Sequence, residues 1–437
     1  MNRKAKFKQT EIGMIPEDWG ADVLGNYTNL IKGISYRSED YCSEDEGFIF
    51  INLKCVARNG GFREEGIKYY KGEFSEEQSV SPGDILIANT DLTQNREIIG
   101  SPLKVPNLKN DRKMCISLDL TKLDVISKKL NGDFLYYYLM SSRARHFMIA
   151  NGNGTTVVHL STKNVPNMVI PLPDIEEQKF IAKILSSLDD KIELNQTMNK
   201  TLEAIGQAIF KHWFIDFEFP NENGKPYQSS GGEMIDSEIG EIPKGWTVKP
   251  IDEVANFLNG LALQKYPATD DKEYLPVIKI RELKQGITEA TDKAGVNLPG
   301  QYIINDGDVI FSWSGSLEVV IWTSGKGALN QHLFKVSSKD YPKWFYYLWV
   351  LQQLPEYRHI AEGKATTMGH IQRHHLKSSL VLVPDKTTIT RMDKILSPII
   401  DKIIEINVES KNISQIRDLL LSKLMSGKIR VPLEEVK

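Results

Sequence analysis

The sequence has few cysteines, no long apolar run and almost no net charge, and each of these absences excludes a class of protein. Its 437 residues include three cysteines, too few for a disulfide framework or a paired-cysteine metal site. No stretch approaches the roughly 18 uninterrupted apolar residues of a membrane span. The basic N-terminal residues are not followed by the apolar region of a signal peptide. We therefore expect a cytoplasmic protein without a membrane partner.

The charge balance limits how the chain can contact nucleic acid. A formal net charge of −3 argues against a protein that coats DNA by bulk electrostatic attraction, because such proteins carry a basic excess. Any DNA contact must be local or shared with a partner. With 41% hydrophobic residues, a chain of this length is expected to fold into two or three domains.

Motifs of common enzyme classes are absent as well. The sequence has no G-x-x-x-x-G-K-[ST] phosphate loop, no H-E-x-x-H and no G-x-S-x-G. It also lacks the FxGxG-like cofactor loop and the [DNS]PP[YFW] tetrapeptide of DNA amino-methyltransferases. We predict a chain that is not an enzyme and that binds no cofactor or metal of its own.

Two weaker patterns were weighed as catalytic or metal sites. Pro173-Asp174 followed by Asp189 and Lys191 fits a loose nuclease pattern, but the last two residues fall in a predicted helix rather than on strands. A histidine cluster fits no standard zinc spacing, and surface or DNA-facing histidines are the favoured interpretation; its members are His359, His370, His374 and His375.

The chain is an internal duplication, which a search for repeats reveals before any motif does. Three segments of the first half return in order in the second half: IGMIPEDW (12–19) as IGEIPKGW (239–246), SPGDILI (81–87) as NDGDVIF (305–311), and GTTVVHL (154–160) as ATTMGHI (365–371). The shift falls from 227 to 211 residues along the chain, so the first copy carries extra residues in its middle. Each copy has a shared frame around a divergent centre.

Each copy ends in a predicted long helix with a 3.5-residue apolar period, which is typical of a coiled-coil seam. The first seam comprises Ile181, Leu185, Leu188, Ile192, Asn195, Asn199, Leu202, Gly206, Ile209 and Trp213. The second comprises Met392, Leu396, Ile399, Ile403, Ile406, Ser410, Ile413, Arg417, Leu420 and Leu424. The alternative is a pair of ordinary core helices. If the helices pack antiparallel, Asn195 should lie near Ser410.

These patterns predict an α+β protein with two β-rich domains related by duplication and separated by two long antiparallel coiled-coil helices. The predicted boundaries follow the chain: a first β-rich domain (1–173), a spacer helix (174–215), a linker (216–238), a second β-rich domain (239–384), a second spacer helix (385–425) and a C-terminal tail (426–437).

Loops dense in amide, hydroxyl and cationic side chains follow the repeated Gly-Asp strand start in both copies. The first loop includes Thr93, Gln94, Asn95 and Arg96, and the second includes Ser314 and Ser316. Asn, Gln and Arg can contact base edges in the major groove. A solvated loop has the same composition, and this alternative stays open.

In this order and duplicated, the motifs resemble the specificity subunit of a type I restriction-modification system over nearly the whole length. They are IP-x-x-W at the start of each half, PGD and DGD at strand starts, Asn330-Gln331-His332, TT-x-x-H in each half, PLPDIEEQKFIAKIL at the first helix entry and IFKHWFIDFEF at its exit. The second helix entry, DKTTITRMDKIL, departs from the pattern because it lacks the acidic-Glu-Gln run. That departure puts in doubt how tightly this end docks a partner.

The resemblance implies two target recognition domains, each reading one half of a bipartite, asymmetric site on double-stranded DNA. In the family, two methyltransferase subunits dock on the specificity subunit and methylate adenine with S-adenosylmethionine. Two restriction subunits can add ATP- and Mg-dependent translocation and cleavage. The partners would supply much of the phosphate-binding charge.

The resemblance also assigns expected roles to residues. We predict Gln94, Asn95 and Arg96 as base readers in the first domain, with Thr93 beside them and Lys54 as a backbone contact. In the second domain the candidates are Ser314, Ser316, Gln331 and His332, with Arg281, which aligns with Lys54, in a positioning role. The TT-x-x-H residues would contact DNA or stabilise the frame; they include Thr155, Thr156, Thr366, Thr367 and His370.

Three alternatives remain at this level. The chain could be the specificity subunit of a fused methyltransferase-nuclease system, which shares the two-domain plan. It could be a coiled-coil scaffold whose β domains bind protein. It could be a nuclease acting through Asp174, Asp189 and Lys191, a pattern disfavoured by its position in a helix.

Overall fold

A computed structural model describes residues 6–58, 60–93, 95–108, 112–270, 272–363 and 369–431. Contacts divide the chain into two units, the first formed by residues 1–190 with 414–437 and the second by residues 191–413. Each unit contains the β-rich part of one repeat. Within the described ranges, none of the helices has the length and apolar character needed to cross a membrane.

The α-helices of the described residues include two of 40 residues each. In chain order they are α1 (Gly132–Met140), α2 (Ser142–Ala150), α3 (Ile175–Phe214), α4 (Ile251–Val254), α5 (Ile280–Gln285), α6 (Lys343–Glu362), α7 (Arg373–Ser378) and α8 (Lys386–Met425).

Short strands form the sheets of the first unit. They are β1 (Phe7–Thr10), β2 (Gly13–Pro16), β3 (Gly20–Val23), β4 (Thr28–Lys32), β5 (Phe48–Ile51), β6 (Lys68–Tyr70), β7 (Ser79–Val80), β8 (Ile85–Ala88), β9 (Thr90–Asp91), β10 (Pro102–Lys104), β11 (Met114–Ile116), β12 (Leu120–Val125), β13 (Gly152–Asn153), β14 (Val158–Leu160) and β15 (Val169–Leu172). An antiparallel sheet has the order β10-β8-β12-β4, and a mixed sheet has the order β6-β5-β11-β7 with β5 and β11 parallel.

The second unit repeats this plan with strands of its own. They are β16 (Met234–Ser237), β17 (Gly240–Pro243), β18 (Thr247–Pro250), β19 (Asn256–Asn259), β20 (Leu275–Ile278), β21 (Lys293–Ala294), β22 (Ile303–Ile304), β23 (Val309–Ser312), β24 (Val319–Ile321), β25 (Gly327–Leu329), β26 (Leu333–Ser337) and β27 (Leu380–Val383). The sheet β24-β23-β26-β19 matches β10-β8-β12-β4, and the sheet β21-β20-β25-β22 again contains one parallel pair. The structure thus confirms the α+β class and the duplication.

The repeated Gly-Asp motif is a structural feature of the frame. Gly83 has φ +95° and Gly307 has φ +88°, a left-handed conformation that favours glycine. The aspartate that follows pairs with a lysine on the neighbouring strand, Asp84 with Lys122 and Asp308 with Lys335, both at 2.7 Å. The motif therefore sets the start of β8 and β23 against β12 and β26.

The segment predicted as a linker, residues 216–238, is packed within the second unit. Phe219 is buried and stacks on Trp246 and Tyr227 with ring centroids 4.8 and 4.6 Å apart. Strand β16 pairs with β17 in a hairpin. Aromatic burial, which the Pro- and Gly-rich composition did not indicate, gives this segment a fixed structure.

The start of the predicted C-terminal tail is integrated into the first unit through Arg430. Its guanidinium donates to Asp18 at 2.7 and 2.9 Å and to Glu177 at 2.7 and 3.0 Å. The side chain of Glu177, only 2% exposed, also accepts from the indole of Trp19 at 3.0 Å. Hydrogen bonds from several donors offset the free-energy cost of burying the Glu177 carboxylate.

Each long helix begins after an aspartate that accepts hydrogen bonds from the first turn. Asp174 accepts from the amide of Glu176 at 2.9 Å, and Asp385 accepts from the amides of Thr387 and Thr388 at 2.9 and 3.0 Å. Burial of Asp385 opposes its ionisation, but the bonds from Thr388 and Thr387 hold the pKa of its carboxyl below the usual value. These hydrogen bonds satisfy backbone amides of the first turn, which have no carbonyl partner within the helix.

Helices α3 and α8 pack antiparallel within each unit. In the first unit Arg417 forms an ion pair with Asp189 at 2.7 Å. In the second unit Asn195 donates to Ser410 at 3.1 Å and to Glu409 at 2.9 Å, which confirms the predicted Asn195–Ser410 contact. Asn199 donates to Asn407 at 2.6 Å. All predicted seam residues are buried or half-buried, so the coiled-coil interpretation is confirmed.

We predict that the Asn199–Asn407 pair fixes the alignment of the helices rather than adding stability. Asn199→Leu alone should lower the free energy of unfolding by about 1–3 kcal/mol, because the Asn407 side chain loses its partner inside the helix pair. The double variant Asn199→Leu/Asn407→Leu should recover most of that loss. Urea denaturation followed by circular dichroism measures both, and a double variant as unstable as the sum of the single variants would contradict the prediction.

Candidate nucleic-acid interface

In the first unit, the loop that follows β9 is organised by one buried carboxylate. The side chain of Asp91 is 0% exposed. It accepts hydrogen bonds from the backbone amides of Thr93 at 2.6 Å and of Ile98 and Ile99 at 2.7 Å. Three amide donors compensate the cost of burying the charge. The residues between them are consequently held in one loop conformation.

A buried arginine from α2 supports the same loop from its other end. Arg145 donates to the carbonyl of Ile99 at 2.6 Å and to that of Glu97 at 3.3 Å. Burial lowers the pKa of Arg145 to about 10, although the Asp91 charge acts in the opposite direction. The guanidinium therefore stays charged at neutral pH and fixes the end of the loop.

The predicted base readers lie in the stretch between these two supports. Arg96 adopts a left-handed conformation with φ +55°, and among the described residues its guanidinium makes only long contacts, 3.4 Å to the Ile149 carbonyl and 3.5 Å to that of Gly154. Asn95 is exposed. The Thr93 hydroxyl accepts from the Glu97 amide at 2.9 Å and so shapes the loop itself. Gln94 lies outside the described residues.

The first TT-x-x-H segment lies directly beside this loop. Strand β14 pairs antiparallel with β9, which sets His159 opposite Thr90. Thr155 and Thr156, in the turn before β14, and His159 itself are exposed. The structure thus brings together two polar segments that are about 60 residues apart in the sequence.

The segment that contains Lys54 contacts the loop that follows β9. Lys54 is exposed on a short turn after β5, and its backbone amide donates to the side chain of Asn52 at 2.9 Å. Four residues later, Arg58 pairs with Glu97 of the loop at 3.1 Å. Lys54 is therefore on a segment that contacts the predicted reading loop.

The second unit builds the equivalent loop with different residues. Ser312, 0% exposed, accepts from the amide of Glu318 at 2.8 Å and donates to the carbonyl of Ser316 at 2.6 Å. Arg358 of α6 donates to the Leu317 carbonyl at 3.1 Å and to the Glu318 carboxylate at 3.0 Å. A buried polar side chain at the loop start and an arginine from the following helix again hold the loop.

Within this second loop, Ser314, His332 and His370 come together around Trp313. Ser314 is buried, forms a β-bridge with His370 and lies 3.1 Å from Nδ1 of His332. The Trp313 ring lies 5.8 Å from that of His332 and 6.4 Å from that of His370. Gln331 is 3.4 Å from Nε2 of His332. Four predicted residues from three segments of the chain thus meet in one polar and aromatic cluster.

The remaining candidates of the second unit have partners within the protein. Ser316 is exposed and accepts from Lys284 of α5 at 2.6 Å. Arg281 donates to the buried Glu282 at 2.7 and 2.9 Å and to the carbonyl of Ala290 at 2.8 Å, which fixes the turn after α5. Thr366 and Thr367 lie outside the described residues.

Sequence reasoning missed the arginines Arg145 and Arg358 and the acid Asp119, which accepts from the Thr90 hydroxyl at 2.8 Å. Each contacts a loop 29 to 48 residues away in the sequence. A helix arginine or a turn aspartate carries no local signal of such a contact. Only comparison of equivalent positions in the two repeats could have indicated Asp119.

The residues of the nuclease-like pattern have structural partners instead of a shared site. Asp189 pairs with Arg417 and accepts from the hydroxyl of Tyr137 at 2.7 Å. Asp174 caps α3, and Lys191 pairs with Glu409 at 3.1 Å. Across the described residues, no three His, Cys, Asp or Glu side chains are grouped to hold a metal ion.

Comparison with known proteins identifies the family. The model of the type I restriction modification DNA specificity domain matches residues 44–204 and 243–415. The chain is 25% identical to the Type I restriction enzyme MjaIX specificity subunit of Methanocaldococcus jannaschii, over 98% of this chain and 97% of the relative. It is 26% identical to the Type I restriction enzyme HindI specificity subunit of Haemophilus influenzae, over 73% and 84%.

A solved structure has the same fold. The crystal structure of a type I restriction-modification system S subunit from M. genitalium superposes with a TM-score of 0.54 at 15% identity, covering 97% of this chain and 99% of that one. The two matched domains cover most of each β-rich repeat and most of its long helix. The chain therefore belongs to the type I restriction modification DNA specificity family and is a non-catalytic specificity subunit with two target recognition domains.

Proposed function

We propose that each unit reads one short half of a bipartite, asymmetric site on double-stranded DNA. The observation that carries the proposal is the repeated convergence of segments: in both units the Gly-Asp strand is followed by a supported loop that pairs with the histidine segment. Each unit holds its loop with a buried polar side chain and a helix arginine, whereas the side chains between these supports differ. A constant frame with different polar side chains is what recognition of two unlike half-sites requires.

Arg96 and Asn95 are the direct readers of the first unit. Gln94, the preceding residue in the sequence, is a third candidate. Within the part of the chain that the structure describes, the guanidinium of Arg96 makes only contacts of 3.4 Å or longer, so little is lost when it turns to a guanine edge. Exposed Asn95 can pair with adenine. Thr155 and Thr156, on the neighbouring turn, can contact the phosphates or sugars next to the bases that are read.

In the second unit, the cluster takes the equivalent role through His332, Gln331 and His370, and the buried Ser314 positions His332. Its histidines and amide supply both donors and acceptors, and Trp313 supports their rings. Ser316, Thr366 and Thr367 flank this cluster in the sequence. Lys54 in the first unit is a contact to the DNA backbone, while Arg281 positions its own turn through Glu282.

We further propose that two methyltransferase subunits dock on the long helices and supply S-adenosylmethionine chemistry at adenine, and that two restriction subunits can add ATP and Mg. Exposed apolar side chains on the helices support a docking surface. They are Leu194, Met198, Ile205 and Ile395 in the second unit and Ile416 and Leu419 in the first. The net charge of −3 fits a complex in which the partners supply phosphate-binding charge. Such a complex would act in the cytoplasm.

Methylated-adenine mapping tests the proposed function as a whole. The genome of a host that expresses this chain with its methyltransferase is compared with the same host lacking only this chain. A gapped, two-part motif that disappears with the chain is expected. A motif that persists without the chain, or no chain-dependent motif with an active methyltransferase, would contradict the proposal and favour a scaffold.

Arg96→Lys should relax one base position of one half-site. Lysine keeps the charge but lacks the bidentate guanidinium geometry, so binding to the preferred duplex should weaken by about 1–3 kcal/mol. Competition binding with duplexes that carry each base at each position measures the change. Unaltered preference at every position would show that Arg96 does not read a base.

Lys54→Gln should weaken binding to all duplexes alike, because a phosphate contact contains no base information. The slope of log affinity against log salt concentration should become shallower by about 1. A salt titration with matched and mismatched duplexes measures both effects. A change confined to one base position would instead make Lys54 a base reader.

A further inference from the structure

The residue that directly precedes β12 in the first unit has an exact structural counterpart before β26 in the second. Asp119 precedes Leu120, the first residue of β12, and His332 precedes Leu333, the first residue of β26. Two residues earlier in each case, Ser117 bridges in parallel to Ile34 and Asn330 bridges in parallel to Leu261. The equivalence of Asp119 and His332 therefore rests on backbone pairing, because their side chains are unlike.

Both residues have the same kind of neighbour at the start of the reading loop. The Thr90 hydroxyl donates to Oδ1 of Asp119 at 2.8 Å, and the Ser314 hydroxyl lies 3.1 Å from Nδ1 of His332. Thr90 pairs with His159 of the first histidine segment, and Ser314 bridges to His370 of the second. A hydroxyl, a histidine and one variable polar side chain thus recur at one place in both units.

The variable member of this group differs in its hydrogen-bonding chemistry. A carboxylate only accepts hydrogen bonds, whereas a neutral imidazole has one donor and one acceptor. Asp119 is half-buried, and among the described residues its Oδ2 atom accepts no hydrogen bond from the protein. Its neighbour Leu118 is exposed, so this turn is at the surface. The second oxygen remains available to a donor from outside.

We propose that Asp119 and His332 are specificity-determining residues, one for each half-site. Asp119 would accept from an exocyclic amine, N4 of cytosine or N6 of adenine, and His332 would turn its Nε2 atom, which lies 3.4 Å from the amide nitrogen of Gln331, to a hydrogen-bonding group of a base edge. Thr90 and Ser314 are positioning residues that orient these side chains. This inference rests on the proposed function and names the base chemistry read at one position in each unit.

The test uses the full chain in complex with its methyltransferase and a library of DNA duplexes with randomised half-sites. Asp119→Asn preserves shape and an acceptor for Thr90 but replaces the second acceptor with a donor. Asp124→Asn makes the same change near the other end of β12, about 16 Å along the strand. His332→Gln is compared with His359→Gln on the exposed surface of α6.

Asp119→Asn should change the selected base at one position of one half-site, and His332→Gln should do so in the other half-site. Affinity for the original duplex should fall by about 5- to 150-fold in each case. Both control variants should select the unaltered sequence. Thermal unfolding of each variant identifies any loss of affinity that comes from a disrupted fold.

Three results would overturn the inference. Uniform weakening without a change of base preference would make the two residues structural, and an unaltered selection would show that neither contacts a base. Changes in the same half-site would contradict the assignment of one residue to each half. If the unsubstituted complex itself selects no two-part site, the proposed function fails, and this inference fails with it.

Discussion

The buried carboxylate of Asp91 is the interaction on which the conformation of the loop after β9 depends. An isolated charge inside a protein is strongly unfavourable, and here three backbone amides compensate it. Because those amides lie at both ends of one loop, the same bonds fix the loop conformation. Arg145 adds the complementary charge and two bonds to loop carbonyls. The side chains between these supports can vary without loss of the frame.

The second unit reaches the same result with a neutral residue. Ser312 holds its loop through a hydroxyl that both donates and accepts, and Arg358 replaces Arg145 from the following helix. A shorter loop needs fewer bonds to be fixed, and so it does not require a buried charge. The two repeats therefore share one plan, a supported loop beside a histidine segment, while the polar side chains of the loop differ between the units.

The sequence was sufficient for those features that a local period or an internal repeat encodes. The 3.5-residue period predicted the helix pair and even the contact of Asn195 with Ser410, because one helical alignment fixes all others. The repeated sequence segments predicted the structural frame that the two units share. The packing of Phe219 and the attachment of Arg430 to Glu177 were not predictable, since both depend on partners distant in sequence.

Some features of the candidate site were likewise predictable from the sequence, and others were not. Arg96 and Asn95 lie in the loop after β9, and the first histidine segment lies on the adjoining strand β14, a neighbourhood that the sequence did not predict. Arg281, however, is engaged by the adjacent Glu282 and a carbonyl, a use of the guanidinium that residue type alone does not reveal. No local sequence signal indicates Asp119. Its role is inferred from the equivalent backbone bridges that precede it and His332 in the two repeats.

We propose that each unit reads its half-site independently through a loop held by buried polar groups. The most direct measurement is DNA selection by the full complex carrying Asp91→Asn, whose single acceptor oxygen cannot accept from the Thr93 amide and from the Ile98 and Ile99 amides together. We expect one half of the recognition sequence to become degenerate while the other half and the spacing are retained. Loss of both halves together, or retention of both with unaltered affinity, would contradict it.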